Sequence, residues 1–333
     1  MVLLFAALLL AMIAFGIGLK IFENHMPEPV IADDGFLTDD QSEELTPLGT
    51  LKINGNIYSY YHEFETYLIM GTDKTGTDSK VYQGSMSDFL MLVIIDKTDN
   101  NYSFLPINRD TMSEVRLIQD DGTGAATAQL QLCTAHWYGG NASQSCANTA
   151  ESISKLFGGL KIDGYYAIPM DEIPKLNHSV GGVTVTLLED FRKIDRQMKK
   201  GETLVLSDEQ AYHYIHDRYG VGDEKNTSRM KRQQQYMEAF FAKAKEKTQS
   251  DKTYVNELFR ELEQTATTNL TAKKVSLITN RLVKGTQKGF FEIQGTSKIG
   301  KSLGDGIDHA EFYPDKKSLI DVMTKIYGLK KRG

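Results

Sequence analysis

Several familiar catalytic signatures are missing from this chain of 333 residues. It has no P-loop, no GxSxG elbow, no HExxH helix and no glycine fingerprint of a dinucleotide site. The common nucleotide-, ester- and zinc-dependent chemistries therefore find no support. Cysteine is scarce: Cys133 and Cys146 are the only two, and neither has the CxxC or Cys/His spacing that suits zinc. In an exported domain the pair admits a disulfide and a pair of buried free thiols equally. His62, His136, His178 and His213 show no ligand spacing. A basic surplus is also missing. The net charge of −6 opposes a general nucleic-acid binder, which needs cations to neutralise phosphates. Phosphate chemistry, if present, must come from local arginines. No internal repeat is visible.

Charge is wholly absent from Val2 to Leu19. Eighteen residues rise roughly 27 Å as a helix, close to the hydrocarbon thickness of a bilayer. The start carries no Lys or Arg, and no small-x-small cleavage site follows Leu19. The segment 1–20 is therefore read as an uncleaved transmembrane anchor rather than a signal peptide. The missing basic start admits an N-terminus further upstream. Only Lys20 follows the span, and the next stretch is acidic, so the remainder is expected on the extracytoplasmic side. Residues 21–57 read as an acidic tether and 58–330 as one folded domain.

Within that domain, strand and helix signals alternate. Tyr67 to Met70 is a short apolar run ended by Gly71. Phe89 to Ile95 and Tyr102 to Ile107 flank the turn cluster Asp99-Asn100-Asn101 and predict a hairpin. Ala147 to Phe157 has helical spacing and stops at Gly158-Gly159. Tyr165 to Ile168 predicts a strand, a helix follows from Asp171 to Gly181-Gly182, and Val183 to Leu187 predicts another strand. Ser207 N-caps a helix with Gln210 as its capping-box partner. Further helices are expected over Arg229 to Lys247, Thr271 to Lys284 and Lys317 to Tyr327. The fold class is α/β, with helices packed on a central sheet.

Charged residues stand where three apolar strands end. They are Asp73 after the first run, Asp88 before the second, and Asn108-Arg109-Asp110 after the third. Strand ends are where α/β folds place their sites. Asp73 and Asp88 on neighbouring strands offer hard oxygen donors suited to a divalent ion. Each alone would more often just cap a turn. Further on, Arg229, Arg232 and Gln233 share one face near a helix N-terminus, a favourable place for an anion. Charged runs of this kind are usually solvated faces, and Lys231 and Gln234 are read that way.

These segments, in order, resemble the LytR–CpsA–Psr family of bacterial cell-wall ligases. The matching series is Leu-Ile-Met-Gly-Thr-Asp73, Ser-Asp88-Phe-Leu-Met-Leu-Val, Pro-Ile-Asn-Arg109-Asp110-Thr and Trp-Tyr-Gly139-Gly140. Gly181-Gly182-Val-Thr-Val, Ser-Asp-Glu-Gln-Ala211, Arg229-x-x-Arg232-Gln233-Gln234-Gln235 and Thr267-Thr268-Asn269-Leu270 complete it. The resemblance runs from about residue 65 to 328 and implies a central mixed sheet with helices on both faces. It implies transfer of an anionic glycopolymer, of teichoic acid or capsule type, from polyprenyl pyrophosphate to peptidoglycan. The step would be phosphoryl transfer with Mg²⁺ or Mn²⁺, with pyrophosphatase activity as a possible accompaniment. By the same resemblance Asp73 and Asp88 match the metal carboxylates. Arg109, Arg218, Arg229 and Gln233 match the pyrophosphate-binding set, and Arg232, Gln131 and His216 are placed with it. Arg109 and Arg229 are assigned catalytic roles, and Asp110 a supporting one. The implied location is the bacterial cell membrane, with no nucleic-acid partner. Two departures stand out. Gln131-Leu132-Cys133 occupies the place of a family Lys-[Leu/Ile]-Asn, and His216-Asp217-Arg218 that of Arg-x-Arg. Both remove a cation, which leaves a non-catalytic polyprenyl-phosphate-binding or scaffold protein as the alternative reading.

Overall fold

The computed structural model describes residues 47–73, 85–118, 124–251 and 254–332. The expected anchor and most of the expected tether lie outside them. Among the described residues no helix is long and apolar enough to cross a membrane.

In chain order the strands are β1 (Gly49–Ile53), β2 (Asn56–Tyr60), β3 (Phe64–Thr72), β4 (Ser87–Asp96), β5 (Tyr102–Ile107), β6 (Met112–Ile118) and β7 (Gly124–Gln131). They continue as β8 (Gly164–Pro169), β9 (Thr184–Thr186), β10 (Thr203–Val205), β11 (Thr267–Thr268), β12 (Gln287–Phe290), β13 (Gly295–Gly300), β14 (His309–Pro314) and β15 (Lys330–Lys331). The helices are α1 (Thr134–Trp137), α2 (Ala142–Leu156), α3 (Ile173–Ser179), α4 (Asp208–His216), α5 (Asn226–Ser250), α6 (Tyr254–Glu263), α7 (Ala272–Lys284) and α8 (Lys316–Tyr327).

A six-stranded sheet in the order β11-β8-β3-β4-β5-β12 forms the centre. It is mixed: β3 pairs antiparallel with β4 and parallel with β8, and β5 pairs antiparallel with β4 and parallel with β12. β3 and β4 read as continuous apolar runs because both sheet faces are covered. Tyr67, Ile69, Met91 and Val93 point into one core, which α3 to α7 cover. Leu68, Met70, Leu90 and Leu92 point into the other, closed by α2, α8 and the small β1-β2-β15 sheet. The protein is thus a mixed α/β fold with a central mixed sheet and a helical layer on each face.

Several local expectations meet the structure closely. Ser207 caps α4 with a full capping box, its hydroxyl accepting from the Gln210 amide at 3.1 Å. The strands of the β4–β5 hairpin match their expected spans to within two residues. Others shift. The second helix begins at Ala142 rather than Ala147, because Asn141 accepts from the Gln144 amide at 3.0 Å and caps it earlier. At its other end Gly158 adopts φ +73°, and a Cβ there would meet the Lys52 carbonyl at 2.4 Å. The expected tether limit at residue 57 is corrected: β1 and β2 belong to the folded domain. Leu51 and Ile53 are buried, and Asn54-Gly55, with φ of 51° and 78°, closes the tight hairpin between β1 and β2. The β6–β7 and β13–β14 hairpins and α6 had no counterpart among the sequence expectations. Cys133 and Cys146 are buried free thiols, not a disulfide.

Candidate active site

At the end of β3 and the start of β4 the ladder slips. Gly71 pairs with Phe89, but Thr72 pairs with Ser87, so Asp88 is the extra residue of a bulge. A bulge re-aims its side chain, here toward the carbonyl end of the neighbouring strand. Just beyond β5, the Asn108 side chain accepts from the Asp110 amide at 3.0 Å, and the Asn108 carbonyl from the Thr111 amide at 3.0 Å. That turn fixes Arg109 and Asp110. The Arg109 carbonyl accepts from the Cys133 amide at 3.0 Å, so the end of the β6–β7 hairpin is pinned to the same turn.

Arg229 arrives from the first turn of α5. It is 3% exposed. Its guanidinium donates to Asp88 Oδ2 at 2.9 Å, to the Asn226 side chain at 2.8 and 3.0 Å, and to the His216 carbonyl at 3.2 Å. Asn226 in turn donates to Asn108 Oδ1 at 2.8 Å, tying the helix start to the β5 turn. Arg109 pairs with the other oxygen of Asp88. Its Nη2 also lies 2.9 Å from Cys133 Sγ and 3.0 Å from Met86 Sδ. Arg218 follows α4 and stands 4.0 Å from Asp110 Oδ2. Burial raises the proton affinity of Asp110, against the opposing pull of Arg109, Arg218 and Arg229. Burial and the charges of Arg109 and Arg218 push the Arg229 guanidinium down to about 10, which leaves it charged at neutral pH.

Asp88, Arg109, Arg218 and Arg229 line one open cleft of about 630 Å³ together with Asp73, Met86, Gln131, His216, Asp217, Tyr219 and His309, and Asp110 stands against Arg109 and Arg218 at its wall. Asp73, Asp88 and His216 bring donor atoms within 4.8 Å of one another, an arrangement able to hold a divalent ion. Gln131 is 4% exposed; its amide donates to the Ala310 carbonyl at 2.7 Å, and its Oε1 has no partner.

Two sequence expectations do not reach the cleft. Arg232 is 1% exposed and is spent internally. It pairs with Glu189 at 2.7 Å, donates to the Tyr214 and Asp217 carbonyls and stacks over Phe191 at 5.0 Å. Gln233 is buried against the sheet and donates to the Ile215 carbonyl at 3.1 Å. It lines a narrow apolar recess behind Asp88 with Phe89, Pro106, Ile107, Met230 and Met237. The shared helix face was real, but the turns before it curl over that face and claim Arg232 and Gln233 for backbone carbonyls. Conversely, His309 enters the cleft from the β13–β14 hairpin, with Asp305 at 2.8 Å. No local pattern marked it.

The LytR_cpsA_psr family model matches residues 37–325. The chain belongs to this family. Among solved structures, the family fold recurs in TagV of B. subtilis, at 21% identity, with a TM-score of 0.56 over 80% of this chain and 96% of that one. Protein gbs0355 of Streptococcus agalactiae is 20% identical, with a TM-score of 0.61 over 81% and 90%. TagT bound to LIIa-WTA is 19% identical, with a TM-score of 0.55 over 80% and 91%. No curated protein matches the chain. In this chain the cleft lies at the strand ends from which Asp73, Asp88 and Arg109 project.

Proposed function

We propose that this protein transfers an anionic glycopolymer from a polyprenyl pyrophosphate carrier to peptidoglycan. Family membership and the likeness to TagT, solved bound to LIIa-WTA, support a cell-wall glycopolymer role. One observation carries the reading furthest. Arg109, Arg218 and Arg229 come from three separate segments and converge on one cleft with Asp73 and Asp88. Guanidinium forks match phosphate oxygens, and phosphoryl transfer is catalysed mainly by positioning and charge neutralisation.

Asp88 holds Arg109 and Arg229 in place. A pyrophosphate entering the cleft competes for both guanidiniums, which are already aimed. The hydroxyl of the acceptor attacks the phosphorus that bears the polymer. The bond from that phosphorus to the bridging oxygen breaks, and polyprenyl phosphate leaves. Asp110, with its raised proton affinity and its place between Arg109 and Arg218, takes the hydroxyl proton. Asp73 and Asp88 would hold Mg²⁺ or Mn²⁺, which when bound would help neutralise charge on the leaving phosphate. An anchor at residues 2–19 would confine the enzyme to the bilayer with its lipid substrate and raise the effective concentration of both. The domain would then work on the extracytoplasmic side of a bacterial membrane.

Replacement of the native protein by its Arg109→Ala variant is expected to lower phosphate-bearing polymer on the wall. Unchanged wall phosphate contradicts the proposal. A second reading rests on Gln131, a neutral amide whose Nε2 already donates to the Ala310 carbonyl and which brings no charge to a phosphate. On that reading the protein binds polyprenyl phosphate as a scaffold. Co-purified polyprenyl phosphate without transfer or pyrophosphatase activity under Mg²⁺ would favour it.

A further inference from the structure

His216 stands where the family favours arginine, a residue unable to ligate a metal. The structure gives it a different setting. Its Nδ1 faces Asp217 Oδ1 at 2.9 Å, and the other oxygen of Asp217 takes His213 Nδ1 at 2.7 Å. Its ring stacks on Tyr212 at 4.7 Å, with the planes 16° apart. Arg229 holds its carbonyl at 3.2 Å. Ring and backbone are therefore both fixed. In the tautomer whose Nδ1–H donates to Asp217 Oδ1, the lone pair of Nε2 is left on the side of Asp73 Oδ1, 3.9 Å away. A carboxylate behind a histidine in this way is the usual support of a metal-ligating imidazole.

We propose that His216 is the third ligand of a divalent-metal site with Asp73 and Asp88, and that it shifts the metal preference of this protein from Mg²⁺ toward Mn²⁺ or Zn²⁺. The functional meaning of this site rests on the transferase reading. Asp88 gives both oxygens to guanidiniums, so an ion there shares this carboxylate with Arg109 and Arg229 and depends the more on its other ligands. One further observation supports the site. Gln131, nearly fully buried and with its Oε1 unpartnered, is one of the residues lining the same cleft, and that oxygen is an acceptor for a metal-bound water. Hard Mg²⁺ favours oxygen donors, whereas imidazole suits Zn²⁺ and the later first-row ions. Tetrahedral ligands at about 2.1 Å from one ion stand about 3.4 Å apart. Donor atoms that now lie within 4.8 Å of one another must therefore draw together on binding. Asp73, with its side chain 41% exposed, has the freedom to do so.

The test uses the full chain in detergent, titrated with Mn²⁺, Zn²⁺ or Mg²⁺, each alone and with farnesyl pyrophosphate. Pulsed EPR of bound Mn²⁺ should show ¹⁴N coupling from one imidazole, absent in His216→Gln. Mn²⁺ and Zn²⁺ affinity should fall roughly 10–100-fold in His216→Gln and about tenfold in Asp217→Asn, whose carboxylate no longer orients the ring. Mg²⁺ affinity should change less than about threefold, since oxygen donors dominate its binding. Bound Mn²⁺ without nitrogen coupling in the native protein would overturn the inference, and that measurement needs no variant to fold. It would leave the transferase reading standing, because wall phosphate tests that separately. No Mn²⁺ binding in either condition, or equal losses for all three ions, would also overturn it.

Discussion

Arg229 and Arg232 lie one turn apart on α5, yet their partners differ completely. Arg229 meets Asp88 in the cleft, and Arg232 meets Glu189 inside the protein. The sequence spacing established a common face but not what would cover it. Glu189 and the carbonyls of Tyr214 and Asp217 come from segments whose approach is a tertiary property. Removing one partner of a buried ion pair leaves the other charge uncompensated. Arg232→Ala should therefore cost about 3–5 kcal/mol in urea unfolding. Arg218→Ala, at the cleft rim, should stay within about 0.5 kcal/mol of the native stability while weakening farnesyl pyrophosphate binding. Equal stability losses would refute this division. Gln131 gives a gain-of-charge prediction. Gln131→Lys replaces an orphaned amide oxygen with an ammonium at the cleft wall. A charge-assisted contact is worth about 1.5–3 kcal/mol, so farnesyl pyrophosphate should bind at least about tenfold tighter by calorimetry. Weaker binding would mean that losing the Ala310 hydrogen bond outweighs the new charge.

At the level of elements, the strands most readily read were those covered on both sides. β3, β4 and β5 announce themselves as apolar runs because each face meets a core. Half-exposed hairpins did not. β6 interleaves Ser113, Glu114 and Arg116 among its apolar residues, and β13 is exposed almost throughout. The β1–β2 turn did carry a signal in Asn54-Gly55, hidden by the acidic stretch before it. The bulge at Asp88 had none, since it depends on how β3 and β4 pair. Near the other end of β3, Glu65 links the sheet to α7. It accepts from Lys274 at 2.9 Å and Tyr67 at 2.8 Å, with Arg281 at 3.8 Å. Burial would raise its carboxyl, but the bonds from Lys274 and Tyr67 and the charge of Arg281 hold it below its ordinary 4.5. A lowered folded-state value gives stability that is fully present above 4.5 and lost as pH falls through the folded value. Glu65→Gln should therefore flatten the loss of urea midpoint on the acid side, with its main cost near neutrality. An unchanged acid slope would show that Glu65 is not so linked.

Across the whole molecule, the cleft gathers residues from near both ends of the folded chain, Asp73 to His309. The order of motifs was enough to place Asp73, Asp88, Arg109 and Arg229, because each adjoins a strand end or helix start that the sequence marks, while Arg218 came from the family resemblance alone. It was not enough for His309, which depends on the β13–β14 hairpin folding back over the β5 turn. The Phe312 amide donates to the Asp110 carbonyl at 2.8 Å and makes that closure. The central claim is that this convergence transfers a polymer from a lipid pyrophosphate to the wall. The most direct measurement supplies the purified full chain with a radiolabelled glycopolymer on polyprenyl pyrophosphate, peptidoglycan fragments and Mn²⁺, and follows label on the fragments. The account predicts transfer by the native protein and a loss of at least about a hundredfold in Arg109→Ala, the scale of one lost electrostatic donor to a transition state. Equal transfer by the two proteins, or bound lipid with no label moved by the native one, would contradict it.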